Sequence, residues 1–257
     1  MTCKIVVLAS RSETSYLLIN ALAARFDIAQ VVFEASHFRK MLRYRLRTLG
    51  PWVVAGQLLF LLWDRLVIRP RSRPRISRLL AGHDTSAPDG RLPVLDVRSI
   101  NSPEVWKLLE QIRPDVVVVS GTGIIGRRAL GLAPWFINIH CGITPRYRGV
   151  HGAFWAIVEG RPDLAGVTIH QVDAGVDTGA ILAQAPIDID PQFDTYRTLP
   201  VKQYLAGLDP MIETVEAACA GRATPITRPD LESRQWFSPT PGDYLRFRRA
   251  MRQLRKR

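Results

Sequence analysis

A chain of 257 residues with 47% hydrophobic content can bury a sizeable core, which excludes a disordered protein and favours one large domain, with or without a small appendage. The formal net charge of +12 favours anionic partners such as phosphorylated metabolites, nucleic acid or a membrane surface.

Three widely spaced cysteines, Cys3, Cys141 and Cys219, include no CxxC pair, so the sequence predicts no disulfide framework and no cysteine zinc site. A reducing compartment is therefore expected. Because residues 1–8 lack the pattern of a signal peptide, we predict a cytoplasmic protein.

The start of the chain alternates between strand and helix patterns. Residues 4–8 and 28–34 have the apolar runs of buried strands, and residues 10–23 between them have the pattern of a helix with Ser10 or Ser12 at its N-cap. A β-α-β opening is typical of an α/β fold. We predict a Rossmann-like, mostly parallel, twisted sheet flanked by helices, with a short C-terminal extension.

Residues 35–90 form the least regular part of the pattern and are interpreted as an insertion. Residues 39–78 contain eleven Lys and Arg residues against the single acid Asp64. The apolar stretch over residues 52–63 is shorter than the roughly 20 residues that a spanning helix needs. Trp52, Phe60 and Trp63, with the flanking arginines, are compatible with an interfacial helix on anionic lipid. The alternative is a helix packed on the domain with its arginines in solvent.

The remaining elements continue the alternation. We expect a catalytic domain over residues 1–190 and a helical extension over 191–257 that ends in a basic tail. Strands are predicted over 92–97, 116–120, 136–140, 165–172 and 180–189, and helices over 102–111, 153–159 and 201–220.

Residues 121–126 spell a literal G-x-G-x-x-G directly after a predicted strand. A dinucleotide site would need a following helix and an acid about 20 residues on. Here Gly131 and Pro134 cut the helix short, and the matching region holds Asn138 and His140 instead of an acid. A tight turn whose glycines let a ligand approach the backbone is the better interpretation.

Asn138 and His140 lie two residues apart on a predicted strand, so their side chains point to the same face. An amide can donate to a developing oxyanion, and an imidazole can exchange a proton near neutral pH. Asp177, in a turn flanked by glycines, can orient the imidazole and raise its pKa. Taken singly, each residue also fits a structural role: a turn cap, a core histidine and an Asx turn.

Five ordered motifs follow one another between residues 138 and 177. They are Asn138-x-His140, Pro145-x-Tyr147-Arg148-Gly149, Trp155-Ala156-Ile157, Gly166-Val167-Thr168, and His170 followed seven positions later by Asp177. Together they resemble the 10-formyltetrahydrofolate-dependent formyltransferases, which act on glycinamide ribonucleotide, methionyl-tRNA or sugar nucleotides. The resemblance is strong over residues 92–186, plausible over 4–34 and absent over 35–90.

The resemblance implies roles for individual residues. Asn138, His140 and Asp177 take the positions of the family's catalytic triad, in which Asn138 and a protonated His140 stabilise an oxyanion while Asp177 keeps the imidazole charged. Two segments are then expected to hold the pterin ring of the formyl donor, without a metal. They are the loop of Gly121, Thr122, Gly123, Ile124 and Ile125, and the turn containing Val172, Asp173 and Gly175.

The acceptor is expected to be a primary amine on a small phosphorylated molecule, most simply a nucleotide-linked or lipid-linked amino sugar. The segment Tyr147-Arg148-Gly149 offers a guanidinium for phosphate. Arg11 and Ser12 are predicted to bind an anion at a helix N-terminus. Many family members have proline and serine after the histidine, where this chain has Cys141-Gly142. Only about seventy residues follow position 186, and a tRNA acceptor is therefore disfavoured.

Two alternatives from other classes stay open. A formyltetrahydrofolate hydrolase would use the same three residues with water as the acceptor and would release formate without an amine. A non-catalytic nucleic-acid-binding protein would act through its arginine clusters, with binding that falls steeply with salt. Because the basic segments lack regularly interleaved aromatic residues, nucleic acid is the weaker expectation. The sequence carries no signal for oligomeric state.

Overall fold

The structure is a computed structural model that describes residues 3–35 and 38–256. Its centre is a seven-stranded sheet in which only the last two strands run antiparallel to their neighbours. In chain order the strands are β1 (Ile5–Ala9), β2 (Ile28–Glu34), β3 (Val94–Val97), β4 (Val116–Ser120), β5 (Trp135–His140), β6 (Arg148–Gly149), β7 (Gly166–Gln171), β8 (Ile181–Pro186) and β9 (Gln235–Trp236). The sheet order is β3-β2-β1-β4-β5-β7-β8, and β6 pairs with β9 in a separate two-stranded sheet.

The central strands are apolar because both faces of the sheet are covered. Every residue of β1 and β4 is buried. The helices are α1 (Glu13–Ala23), α2 (Phe38–Leu49), α3 (Pro51–Trp63), α4 (Arg69–Leu79), α5 (Pro103–Ile112), α6 (Arg127–Leu130), α7 (Gly152–Val158), α8 (Thr198–Cys219) and α9 (Pro241–Leu254). The predicted Rossmann-like α/β fold is confirmed.

Helix α8 packs directly against the sheet. Its residues Tyr204, Met211 and Val215 are buried in the same core cluster as the β1 and β4 side chains. The segment after residue 190 therefore completes the main core as well as extending the chain, while the boundary at residue 190 stays a prediction.

Residues 38–79 of the insertion are almost entirely helical, whereas residues 80–90 form turns and loop. A π-helical turn over Asp64–Ile68 joins α3 to α4, so residues 51–79 form one continuous helix of 29 residues. By length and composition alone this helix could cross a membrane, although only 28% of its most apolar window is buried. The expectation that the apolar segment is too short to span is thus wrong on length, because residues 64–79 extend the helix that residues 51–63 begin.

The prediction of no disulfide is also wrong. Cys3, just before β1, is bonded to Cys219, the last residue of α8, with the two Cα atoms 5.7 Å apart. The packing of α8 over the sheet brings together two cysteines that are 216 residues apart in sequence. Sequence spacing carries no signal for such a pair, and the expectation of a reducing compartment loses its basis.

Candidate active site

The candidate catalytic side chains lie where β5 ends. Asn138 and His140 share a face of β5, and Asn138 is paired across the antiparallel ladder with His170 of β7. On its other side β5 pairs with β4, where Val119 is opposite Asn138. The site therefore lies at the carboxyl end of the parallel strands, where open α/β sheets bind their ligands.

His170 links Asn138 to the acid of the site. Its Nδ1 lies 2.8 Å from the carbonyl oxygen of Gln171, and its Nε2 lies 3.0 Å from Asn138 Nδ2. The carbonyl can only accept, so Nδ1 carries the proton and Nε2 accepts from the Asn138 amide. This histidine was not among the predicted site residues. Its position opposite Asn138 follows from strand pairing, which the sequence alone does not reveal.

Asp177 lies between the two imidazoles. Its carboxylate oxygens are 3.4 Å from His140 Nδ1 and 3.4 Å from His170 Nε2, and it accepts a 2.8 Å hydrogen bond from the backbone N–H of Gly149. Burial acts to raise the pKa of Asp177, but the nearby imidazoles, which favour the carboxylate when they carry positive charge, and the Gly149 N–H outweigh it and lower the pKa to about 2. Asp177 is therefore a carboxylate across the physiological range.

His140 is buried, with 6% of its surface exposed. Its Nε2 lies 2.7 Å from the carbonyl oxygen of Tyr147, while its Nδ1 faces Asp177. Burial lowers the pKa of His140, although Asp177 and the Tyr147 carbonyl act in the opposite direction. Burial thus opposes the protonated His140 that the sequence predicts, and a neutral ring has one proton for two acceptors.

Gly142 allows the close approach between His140 and Tyr147. A Cβ at this position would collide with the carbonyl oxygen of Tyr147 and would lie 2.7 Å from His140 Nε2. Thr168 fixes the same loop by donating a 2.7 Å hydrogen bond to the Gly142 carbonyl. The Cys141-Gly142 segment therefore forms a tight loop that requires glycine.

The loop from Gly121 to Ile125 follows β4 beside Asn138. Gly121 has a φ of 69°, in the left-handed region that glycine favours. The Gly123 N–H donates to Glu34 Oε2 at 2.7 Å, and the Ile124 carbonyl accepts from Asn101 Nδ2 at 2.9 Å. Two of the backbone groups expected to hold the pterin ring are thus already bonded within the protein. The Ile124 side chain, 64% exposed, offers an apolar contact instead.

The turn after β7 flanks Asn138 from the opposite side. The Val172 N–H donates to the Phe136 carbonyl at 2.7 Å, which fixes the turn to β5. Asp173 accepts hydrogen bonds from the Gly175 N–H at 3.0 Å and the Thr178 hydroxyl at 2.7 Å. The Asp173 side chain thus stabilises its own turn, and this turn and the loop after β4 flank the amide of Asn138.

Three of the residues predicted to bind the acceptor have other partners. The Arg11 guanidinium forms ion pairs with Asp89 at 2.9 Å and Asp96 at 2.7 Å, which opposes a role in binding phosphate. Ser12 is the N-cap of α1 and accepts from the Ser15 N–H at 3.1 Å.

Tyr147, the third of these, is fully buried and donates its hydroxyl to Glu159 at 3.1 Å. Its backbone, not its side chain, therefore belongs to the site. Arg148 and Gly149, the other two residues of the segment Tyr147-Arg148-Gly149, do lie at the site. Gly149 contacts Asp177, and Arg148 donates from Nη1 to the Val176 carbonyl at 2.9 Å. Arg148 Nε is buried and has no partner among the described residues.

A cavity of about 220 Å³ lies between the insertion and the core. His151, two residues after Gly149 in the sequence, contributes to its wall. Arg45 lines it as well, and burial lowers the pKa of that guanidinium. The other lining residues are Leu42, Val54, Gln57, Leu58, Phe60, Leu61, Asp64, Tyr196, Arg197 and Ser238. The cavity therefore combines apolar walls with cationic and amide groups.

Cys141 follows His140 and is a free thiol. Burial raises its pKa to about 12, so it stays protonated and is a poor nucleophile. Among the described residues, no three His, Cys, Asp or Glu side chains are grouped so as to hold a metal ion.

The site and fold agree with a known family. A sequence profile described as Formyl transferase matches residues 64–211, more than half of the chain, and the chain belongs to this family. It is similar to methionyl-tRNA formyltransferase of Geobacter metallireducens, with 34% identity over 135 residues that make up 52% of this chain and 43% of the relative. The enzyme of the same name from Chloroflexus aggregans is 42% identical over 106 residues, 40% of this chain and 34% of the relative. The chain thus matches less than half the length of these relatives.

Solved structures extend the likeness over most of the chain. A sugar N-formyltransferase from Shewanella sp FDAARGOS_354 has a TM-score of 0.58 at 15% identity, covering 96% of this chain and 87% of its own. Glycinamide ribonucleotide transformylase 1 from Symbiobacterium toebii has a TM-score of 0.58 at 19% identity, covering 91% of this chain and 92% of its own. At these identities the likeness defines the fold.

Proposed function

We propose that the protein transfers a formyl group from 10-formyltetrahydrofolate to the primary amine of a small phosphorylated acceptor. The observation that carries this proposal is the connected set of Asn138, His170, Asp177 and His140 at the carboxyl end of β5, in a chain of the formyl transferase family. The donor supplies the electrophilic formyl carbon, and the chain supplies donors for negative charge and a place for a proton.

Asn138 is proposed to stabilise the negative charge that develops on a carbonyl oxygen. Its amide nitrogen carries two N–H donors, and His170 Nε2 accepts one of them at 3.0 Å. The pairing orients the amide so that its second N–H points away from His170. Removing one such donor costs about 2.7–4 kcal/mol in other acyl-transfer enzymes.

Neutral His140 is proposed to accept the proton that the attacking amine loses and to return it to N10 of tetrahydrofolate as the bond from N10 to the formyl carbon breaks. With Nε2–H donated to the Tyr147 carbonyl, the free lone pair is on Nδ1, which faces the Asp177 carboxylate at 3.4 Å. Protonation at Nδ1 gives each of the two acceptors its own donor, and the carboxylate stabilises the resulting imidazolium. Asp177 thus orients the ring and compensates the charge when it forms.

The residues beside Asn138 fit the flat ring of a folate. The glycine-containing loop after β4 and the turn after β7 approach the amide from both sides, and exposed Ile124 supplies an apolar contact. A Cβ at Gly121, Gly123 or Gly175 would meet the side chain of Ser10, Glu34 or Thr178, so glycine lets both segments pack closely on the protein. These two segments are proposed to hold the donor.

The acceptor is proposed to be an amino sugar carried on a nucleotide or a lipid. Support comes from Arg148 at the site itself, whose Nε has no hydrogen-bond partner among the described residues. A sugar N-formyltransferase is among the similar structures. Methionyl-tRNA is the second candidate, because the named sequence relatives are methionyl-tRNA formyltransferases.

The test supplies 10-formyltetrahydrofolate with amino-sugar nucleotides, lipid-linked amino sugars, glycinamide ribonucleotide and methionyl-tRNA, and follows tetrahydrofolate formation. Turnover that requires an amino sugar supports the proposal. Turnover with methionyl-tRNA alone supports the second acceptor. Formate release without any amine would instead identify a hydrolase.

A further inference from the structure

The outer face of the long insertion helix is apolar and exposed. We define this outer face as Trp52, Ala55, Leu59, Leu62 and Leu66, which recur at spacings of three and four and so share one side of a helix. Trp52 is 89% exposed, Leu59 60%, Leu62 54% and Leu66 66%. A contiguous row of large apolar side chains in water marks an interaction surface.

The opposite face of the same helix is fixed to the domain. Gln57 donates a 2.8 Å hydrogen bond to the Ser238 carbonyl, and the Phe60 ring packs edge-on against Tyr196 at 5.2 Å. One turn further on, buried Asp64 accepts a 2.7 Å hydrogen bond from Arg197 Nε. A helix held in this way along its length cannot cross a bilayer without breaking these contacts. The outer face can therefore contact only a partner whose surface lies parallel to the axis of the helix.

Exposed arginines lie next to the outer face. Arg65, Arg69 and Arg73 are exposed and belong to no ion pair among the described residues. The one acid between residues 39 and 78, Asp64, is buried and paired with Arg197. Further exposed arginines on α2 and α4 are Arg43, Arg47, Arg71, Arg75 and Arg78. The arginines next to the outer face are thus exposed and have no ion-pair partner in the part of the chain that the structure describes.

We propose that the outer face docks in the plane of an anionic lipid bilayer, with the apolar side chains in the interface and the flanking arginines on lipid headgroups. Exposed leucine and tryptophan followed along the same helix by exposed arginines are residue types found in interfacial helices. Charge selects this occupant over a second copy of the chain, because two copies meeting face to face would bring like-charged arginines together. The inference stands on surface chemistry and does not depend on the proposed formyl transfer.

The test is sedimentation of the full chain with vesicles of phosphatidylcholine, with and without phosphatidylglycerol, at low and high salt. The wild-type protein is expected to bind the phosphatidylglycerol vesicles at low salt, at least tenfold better than pure phosphatidylcholine. Leu59→Glu/Leu62→Glu is expected to lower the bound fraction at least tenfold, and Arg69→Gln/Arg73→Gln to weaken it and reduce its salt dependence. Tryptophan emission should shift to shorter wavelength on binding.

Ile226→Glu is the matched control, since Ile226 is 44% exposed next to β8 and lies outside the insertion. Circular dichroism establishes that each variant is folded. Absence of wild-type binding to phosphatidylglycerol vesicles at low salt overturns the proposal. So does equal loss in Ile226→Glu, or a dimer in light scattering that Leu59→Glu/Leu62→Glu dissolves while vesicle binding is unchanged.

Discussion

At the residue scale, the geometry of the candidate active site depends on His170, which lies between Asn138 and Asp177. His170 accepts from Asn138 and lies 3.4 Å from Asp177, yet nothing places it against a reacting atom. We therefore assign it a positioning role, in which it fixes the rotamer of the amide. Networks of this kind are worth more than the sum of their pairwise contacts.

His170→Leu is expected to lower kcat for formyl transfer about tenfold to a hundredfold while leaving KM for the donor nearly unchanged, because it frees the Asn138 amide to rotate. His170→Gln retains an acceptor for that amide and should recover part of the loss. Steady-state kinetics of both variants measures the split. Equal kcat values for the two variants would show that the hydrogen bond to Asn138 has no role.

The histidines also predict how stability depends on pH. Burial lowers the pKa of His140, and burial with the nearby charges of Arg197 and Arg45 lowers the pKa of His151 to about 3. The unfolded chain protonates both near pH 6.5, so it binds more protons than the folded chain below that pH. Stability is therefore greatest above about pH 6.5 and falls as the pH drops towards 3.

Urea midpoints measured between pH 7.5 and 4.5 check this expectation. The midpoint should fall with pH in the wild type and fall less in His151→Gln, which keeps a hydrogen-bond partner for the Tyr196 hydroxyl without titrating. A midpoint that rises as the pH drops would show that the two histidines are stabilised in their charged form.

At the scale of elements, the insertion helix is attached to the core by a buried ion pair. Asp64 is 1% exposed and pairs with Arg197 just before α8. Removing Asp64 leaves the Arg197 guanidinium, which is 33% exposed, without its partner. Asp64→Ala is expected to lower the free energy of unfolding by about 1.5–3 kcal/mol, the range for hydrogen bonds to charged groups.

Asp230→Ala is the matched control, because Asp230 pairs with Arg228 at 2.8 Å while 58% exposed. An exposed pair of this kind contributes about 0–1 kcal/mol. Chemical denaturation of both variants compares the two losses. Similar losses of unfolding free energy in the two variants would show that burial of Asp64 does not increase the contribution of its ion pair to stability.

The elements also show what sequence reasoning can reach. Strands over 28–34 and 116–120 were predictable because their apolar runs are local, and Asn138 and His140 share a face because a strand repeats every two residues. The ion pairs of Arg11 with Asp89 and Asp96 join residues about 80 positions apart in the sequence. The sequence around Arg11 therefore could not show that its guanidinium is already paired, and the anion site was predicted there. The role of His170 likewise needs the strand pairing.

At the scale of the whole molecule, the disulfide ties the start of β1 to the end of α8. It closes a loop of 216 residues, which restricts the unfolded chain. Cys3→Ser/Cys219→Ser is expected to lower stability by about 2–4 kcal/mol, with an unchanged fold. The cytoplasmic location predicted from the sequence stays a prediction.

Thermal unfolding with and without reductant checks the disulfide. Reductant should lower the Tm of the wild type towards that of the double variant and leave the double variant unchanged. An equal response of both proteins to reductant would assign the effect to Cys141, the one free cysteine among the described residues.

The central claim is formyl transfer by Asn138, His140 and Asp177, and the most direct measurement is amine-dependent tetrahydrofolate formation by the wild type and three variants. Asn138→Ala, His140→Ala and Asp177→Asn should each lose at least a hundredfold in turnover and remain folded, since each removes one group of the connected site. Asp163→Asn, an exposed acid paired with Arg161, should keep wild-type turnover. Full activity in any two of the three site variants would contradict the account.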